Sequence, residues 1–355
     1  MMKTNVHKIK SDRRRTTVAA GLLALALAVL TGAGPVGAQP ATASAPTKIR
    51  LVSLNSLSGF NMWAAKELGF YAQEGLDVES LKFVPNGPAA VAAGYAGAWD
   101  AAYLGGPPAL NAGAKFGLQI AGLLDIQKDF FKVYVHNEVP TQNLAQYLTG
   151  KTALTVTASN LHYFLDACLR YHKVDPKTVK MVNLAGPPNI VTAAAADQGE
   201  IISNWAPFTK QVDALGKYRA ICDSNQQVGI RTFDAYVVHP AFSQAHPEAA
   251  AAFIRAVYRV NALMNSDREK MINLSNKYLS EIGIKLTPEQ IRYGFEVHTY
   301  PSVDETVRMM KSGEIKAALE QVAGFLVGIG AMQSAPDINF ITPVFVEAAQ
   351  KKGIK

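Results

Sequence analysis

The sequence predicts an α/β protein of two lobes, each a parallel or mixed sheet flanked by helices, with a ligand cleft where the lobes face each other. Three observations carry that expectation. The 355 residues exceed what one hydrophobic core usually serves. Strand-like runs alternate with helical ones, the pattern of an α/β sheet. A strand–turn–helix plan also returns about one hundred residues after its first appearance. Leu51 pairs with Leu154, Gly87 with Gly186, Tyr103 with Trp205 and Pro107 with Pro207, at offsets of 103, 99, 102 and 100. Two copies at so long a period are a duplication and not a solenoid.

Each element follows from local chemistry. Residues 49–54 read as a strand, closed by the polar turn Asn55-Ser56-Leu57-Ser58-Gly59. Phe60, Trp63, Ala64 and Leu68 then fall on one face at helical spacing. Residues 76–83 are the second strand, and Asn86-Gly87-Pro88 opens an alanine-rich helix. Residues 101–104 are the third strand, and Gly105-Gly106-Pro107-Pro108 turns into the next helix, since proline fits a first helical turn. The second copy repeats the order. It runs as strand 154–158, turn Ser159-Asn160, helix 161–171, strand 179–184, helix from Gly186-Pro187-Pro188, strand 201–205 and the turn Ala206-Pro207. Residues 234–239 alternate as a strand that returns to the first lobe. Helices follow over 247–264, 267–279, 287–298 and 303–311. The expected organisation is a first lobe over 48–136, a second over 137–233, and a return to the first over 234–355. The hinge crossings fall near 136–140 and 231–234.

The N-terminus reads as an export leader. Lys8, Lys10, Arg13, Arg14 and Arg15 precede an uncharged apolar run over 18–30, then Gly32, Gly34 and Pro35, with small residues up to Ala38. Thirteen residues rise about 20 Å as a helix, short of the roughly 30 Å of a bilayer core. Residues 1–38 are therefore a signal peptide cleaved after Ala38, and 39–47 a flexible leader. Arg14-Arg15 leaves twin-arginine export open beside the ordinary route. No cysteine lies near the cleavage point to take a lipid anchor, which places a soluble protein in the periplasm. Residues 1–38 hold six of the 35 Lys and Arg and one of the 28 Asp and Glu, leaving 29 basic against 27 acidic. A body so nearly neutral, without basic runs, excludes a nucleic-acid partner. Cys168 and Cys222 are too few for a zinc site or a disulfide framework. Cys168 sits on an apolar helix face and reads as a buried free thiol, with a bridge to Cys222 as the alternative.

At this point a family resemblance enters. The run Ala64-Ala65-Lys66-Glu67-Leu68-Gly69-Phe70-Tyr71-Ala72-Gln73-Glu74-Gly75-Leu76-Asp77-Val78-Glu79 resembles the solute-binding proteins of nitrate, sulfonate, taurine and thiamine-precursor ABC importers. The resemblance continues through Gly97-Ala98-Trp99-Asp100-Ala101-Ala102, Gly150-Lys151, His162-Tyr163-Phe164-Leu165 and Trp205-Ala206-Pro207. It covers roughly residues 48–265. It implies a two-lobed periplasmic-binding-protein fold that closes on a small molecule and delivers it to an inner-membrane ABC permease; a monomer without a cofactor is the expectation. The chain departs from the family at Gln198-Gly199-Glu200, where Gly-x-x-Asp is usual, and this leaves packing in the second lobe open.

In open α/β sheets ligands bind beyond the carboxyl ends of the strands. That selects four turns and twelve ligand candidates: Asn55, Ser56, Ser58, Phe60, Tyr103, Gly105, Gly106, Ser159, Asn160, His162, Trp205 and Pro207. The turns carry no charged side chain. Helix N-termini can hold a small anion through free N–H groups, and the hydroxyls add donors, although ordinary capping explains each of them singly. Phe60, Tyr103 and Trp205 supply apolar walls; Trp63 and Trp99 read as core. A small organic anion such as an aliphatic sulfonate or taurine fits first, and a neutral heteroaromatic of the thiamine-precursor type second. A thiamine-pyrimidine-synthase-like enzyme is the other class, but two isolated cysteines cannot supply the cysteine-rich motif it resembles. No H-E-x-x-H, G-x-S-x-G or Walker loop is present, and no histidine has an i, i+4 partner. The expectation is a binding protein without catalytic or metal-ligating residues.

Overall fold

A computed structural model describes residues 45–354. The signal peptide, the cleavage after Ala38 and most of the expected leader lie outside the described residues. Among the described residues eleven strands form two sheets. They are β1 (Thr47–Leu54), β2 (Leu76–Val84), β3 (Ala101–Gly105), β4 (Gln119–Gln127), β5 (Phe131–His136), β6 (Thr152–Thr155), β7 (Lys180–Asn183), β8 (Ile201–Trp205), β9 (Tyr218–Cys222), β10 (Thr232–Val238) and β11 (His298–Thr299). The leader thus ends sooner than expected, because Thr47 already pairs with Leu76.

The first sheet has the order β11-β4-β10-β3-β1-β2 and the second β7-β6-β8-β5-β9. In each, three parallel strands (β2-β1-β3 and β7-β6-β8) are joined by an antiparallel strand, β10 or β5, and then by β4 or β9. The duplication is therefore complete down to strand order, and each antiparallel strand is the first one after the chain has crossed over. One expectation needs correction. β5 was assigned to the first lobe, which was to run to 136, but it pairs with β8 and β9 of the second sheet. The chain changes sheet over residues 128–130 and returns over 223–231, so the crossings lie several residues before those expected. Strand β4 had no sequence signal, because Ile120 to Leu124 are buried on both faces and an apolar run does not alternate.

The departure at Glu200 has a physical resolution. In the first sheet Asp100 Oδ2 accepts from Arg50 N at 2.7 Å, and Asp100 N donates to Arg50 O. In the second, Glu200 Oε2 accepts from Thr152 N at 2.9 Å, and Glu200 N donates to Thr152 O. The longer side chain reaches the same backbone donor, so strand entry is pinned alike in both lobes. Trp63 and Trp99 belong to the core, as does Tyr71. Among the described residues no helix is long and apolar enough to cross a membrane. Cys168 and Cys222 form a disulfide, which corrects the free-thiol reading. The tail helices include Pro247–Ser266, Arg268–Glu281, Pro288–Glu296, Val303–Lys311 and Glu314–Gly328, and they pack mostly on the first lobe.

Candidate functional site

The carboxyl ends of β1, β3 and β8 and the turn after β6 converge on one cavity of about 50 Å³ between the sheets. Seven of the twelve candidates line it: Ser56, Ser58, Tyr103, Gly105, Ser159, Asn160 and Trp205. Ser56 Oγ and Tyr103 Oη share a hydrogen bond of 2.8 Å. Burial raises the Tyr103 phenol far above its ordinary range, so it stays a neutral donor. Ser159 is both cap and wall. Its Oγ accepts from Leu161 N at 3.1 Å and donates to Val156 O at 2.6 Å. The helix Asn160–Tyr171 therefore points its first turn, and the positive end of its dipole, at the cavity. The helix Gly106–Phe116 does the same from the first lobe, although Pro107 and Pro108 remove two of its free N–H groups.

Asn160 closes the cavity. It stands on the second lobe, and its Nδ2 faces three acceptors of the first: Gln127 Oε1 at 3.3 Å, Phe233 O at 3.2 Å and Asp234 Oδ1 at 3.2 Å. Gly105 is what lets it approach, for a Cβ there would lie 2.7 Å from that nitrogen.

The remaining five candidates do not line this cavity. Asn55 is exposed, and its N–H is spent on Val84 O. Phe60 opens its helix but is wholly buried, among Trp63, Tyr278 and Phe295. Gly106 is not among the lining residues, and a Cβ there would meet Asn160 Oδ1 and Val322 at 3.6 Å. Pro207 follows Trp205 but lies against Gly294 of the first lobe, on the far side of its turn. His162 faces away. Its Nδ1 accepts from Ala158 N, and its ring meets Phe325 edge-on at 5.1 Å. It borders a wider groove of about 730 Å³ with Asp166 and Arg170, and burial pulls its pKa down to about 4. His162 sits two residues after Asn160, about 200° around the helix, so its side chain faces the opposite side, which is why it misses.

Sequence reasoning missed Gln127, Phe130, Phe131 and Asp234, which also line the cavity. Asp234 changes the electrostatics, because it is the sole charged type among the lining residues and the turns had promised none. Desolvation pushes its pKa up to about 7. The only sequence signal was its place at the head of the returning strand. The arrangement offers hydroxyl and N–H donors on one side, a carboxyl on another, and aromatic walls from Phe130, Phe131 and Trp205. The three atoms Cys168 Sγ, Cys222 Sγ and His172 N lie within 4.8 Å of one another, but the sulfurs are bonded to each other and are not free to ligate a metal.

Comparison with known proteins follows the same lines. The family described as NMT1/THI5 like matches residues 59–269. The taurine-binding periplasmic protein of Escherichia coli (strain K12) is 36% identical over 113 residues, 31% of this chain and 34% of that protein. The match thus spans about a third of the length of that relative. The periplasmic aliphatic sulphonate binding protein SsuA from Escherichia coli superposes with a TM-score of 0.66 at 18% identity, over 82% of this chain and 96% of that one. The zinc-bound ligand binding component of an ABC-type import system from Staphylococcus aureus gives 0.68 at 13% identity, over 85% and 98%. At these identities the structures show a shared fold, the two-lobed one of periplasmic binding proteins.

Proposed function

The chain belongs to the NMT1/THI5-like family, and from that membership we propose that it is the exported solute-binding receptor of an ABC importer, a binding protein and not an enzyme. It captures a small organic sulfonate in the interlobe cavity and presents it to an inner-membrane permease. The observation that carries this reading is the convergence of both copies' strand ends on a single cavity with donors from each lobe. Taurine binding by the partial relative supports the sulfonate class, as does the aliphatic sulphonate receptor of like fold.

The cavity refines the ligand. A water needs roughly 10–15 Å³ of such space, so about 50 Å³ suits a handful of heavy atoms and not a substituted ring. The Ser56–Tyr103 hydroxyl pair, which keeps one free O–H, and the first turn of Asn160–Tyr171 suit a sulfonate, and Asp234 suits a cationic group at the other end. Taurine carries both charges and is the ligand we favour over a simple alkanesulfonate. Closure takes place about residues 128–130 and 223–231, where the chain passes between the sheets.

The test is a thermal-shift screen of the mature protein with taurine, alkanesulfonates, nitrate and thiamine-precursor pyrimidines. A ligand at about 100 times its dissociation constant adds about 2.7 kcal/mol of stability. Taurine should give the largest shift; no shift with any of them would remove the receptor reading.

A further inference from the structure

Asp234 does not stand alone. Asp125 lies directly opposite it, the two residues forming one cross-strand pair of β4 and β10. Opposed residues of an antiparallel pair put their side chains on the same face, and like charges there repel. Asp125 is fully buried, neither of its carboxyl oxygens makes a hydrogen bond of normal geometry, and the Gln127 amide and the Asp234 backbone N–H offset only part of the cost of burying its charge. No Lys or Arg among the described residues forms an ion pair with either carboxyl. The titratable groups whose fields reach the pair are Tyr103 on β3, Tyr236 on β10, Tyr300 after β11 and His298 on β11; Tyr278 and Arg268 act on Tyr103 and on His298 and Tyr300 from the helix Arg268–Glu281.

His298 fixes the place of a hydrogen. Its Nδ1 donates to Gly294 O at 2.6 Å, which leaves Nε2 as a bare acceptor in the neutral ring. That Nε2 faces Asp125 Oδ2 at 3.6 Å and has no other partner. Two acceptors set face to face in a dry interior repel unless one of them carries a proton. Burial holds the imidazole neutral down to about pH 4, so the hydrogen belongs to the carboxyl. Desolvation raises Asp125 well above its ordinary range, in the same direction.

We propose that Asp125 and Asp234 form a buried acid pair that keeps at least one proton at neutral pH, on Asp125, so that the cavity shows a ligand at most one negative charge and never two. Asp125 is thereby a specificity-determining residue that does not touch the solute. With one charge the cleft accepts a zwitterion, amine toward Asp234 and sulfonate toward the helix N-termini. With two it would repel the sulfonate, and with none it loses its preference for the amine. The ligand part of this proposal rests on the receptor reading; the proton count does not.

The experiment therefore begins without ligand. Carbon NMR of protein labelled at the aspartate carboxyls is followed from pH 5 to 9, with D125N and D234N assigning the two resonances. One carboxyl should titrate near pH 7 while the other is still protonated where the first is fully ionised, and D125N should leave a single titration. Ionisation of both below pH 5, protonation of both to pH 9, or a protonated His298 ring beside an ionised Asp125 overturns the proposal whatever the protein binds. Calorimetry then compares taurine with ethanesulfonate. About half the cavities are ionised at pH 7, so taurine should release about half a proton and bind about tenfold more weakly at pH 6 than at pH 8. Ethanesulfonate should show the opposite trend, and D234N should weaken taurine at least tenfold. Taurine affinity flat across this range overturns the proposal. If wild-type protein binds neither ligand, the receptor reading falls and the NMR titration still decides the acid pair.

Discussion

Gly105→Ala tests the tie that Asn160 makes between the lobes. Gly105 ends β3 at φ −65° and ψ 163°, a conformation alanine adopts freely, so the substitution brings no backbone strain. The new methyl would lie 2.7 Å from Asn160 Nδ2, well inside contact distance. Asn160 must then turn away and give up Gln127, Phe233 and Asp234, the acceptors through which it ties the second lobe to the first. A neutral hydrogen bond contributes about 0.5–1.5 kcal/mol net and one to a charged group about 1.5–3. One amide nitrogen shared among three long contacts is worth about 1–3 kcal/mol in total on that scale. The closed form loses that amount, and affinity falls roughly 5- to 150-fold. Isothermal calorimetry with taurine, or with whichever small ligand the thermal screen returns, reads the affinity. Small-angle scattering reads the compaction that ligand should cause in the wild type and not in the variant. Unchanged affinity together with unchanged compaction would refute the role of Asn160 as a tie between lobes.

Three further outcomes can be stated. Replacing Cys168 and Cys222 by serine opens a loop of 54 residues, which the chain-entropy relation values at about 4 kcal/mol; urea unfolding should show a loss of that order, and none at all would mean the reduced chain is already constrained. Ser159→Glu should abolish sulfonate binding through like-charge repulsion, while Trp205→Ala costs less; calorimetry finding the reverse order would favour a stacked ring as ligand. His162 is buried neutral, with a pKa lowered from 6.5 to about 4, so its contribution is complete above pH 6.5 and lost as pH falls toward 4. His162→Gln should therefore remove up to about 3 kcal/mol of acid destabilisation over that window, and melting temperatures of both proteins between pH 4 and 7 give the comparison.

Local chemistry determined a good deal by itself. The punctuation by glycine and proline, the periodicities of 2 and 3.6, and the recurrence of four markers near an offset of 100 were enough for the duplicated α/β plan. They also selected Ser56, Tyr103, Ser159 and Trp205, because a residue that ends a parallel strand faces the cleft in any such sheet. The antiparallel strands were another matter. β4 is buried on both faces and β5 is short and mostly buried, and neither says locally which sheet it will join. The crossing at 128–130 could therefore be found only once β5 was paired with β8. Asp234 reaches the cavity through its register against β3 and β4, and Asp125 meets it through the same ladder; neither distance is encoded in local spacing. Cys168 and Cys222 likewise come together only because a helix of the second lobe packs over the end of β9. Turn composition indicated an uncharged site. The tertiary structure put a carboxyl into it, since strand pairing between distant segments decides which side chains share a face, and burial then decides which of them keeps its charge.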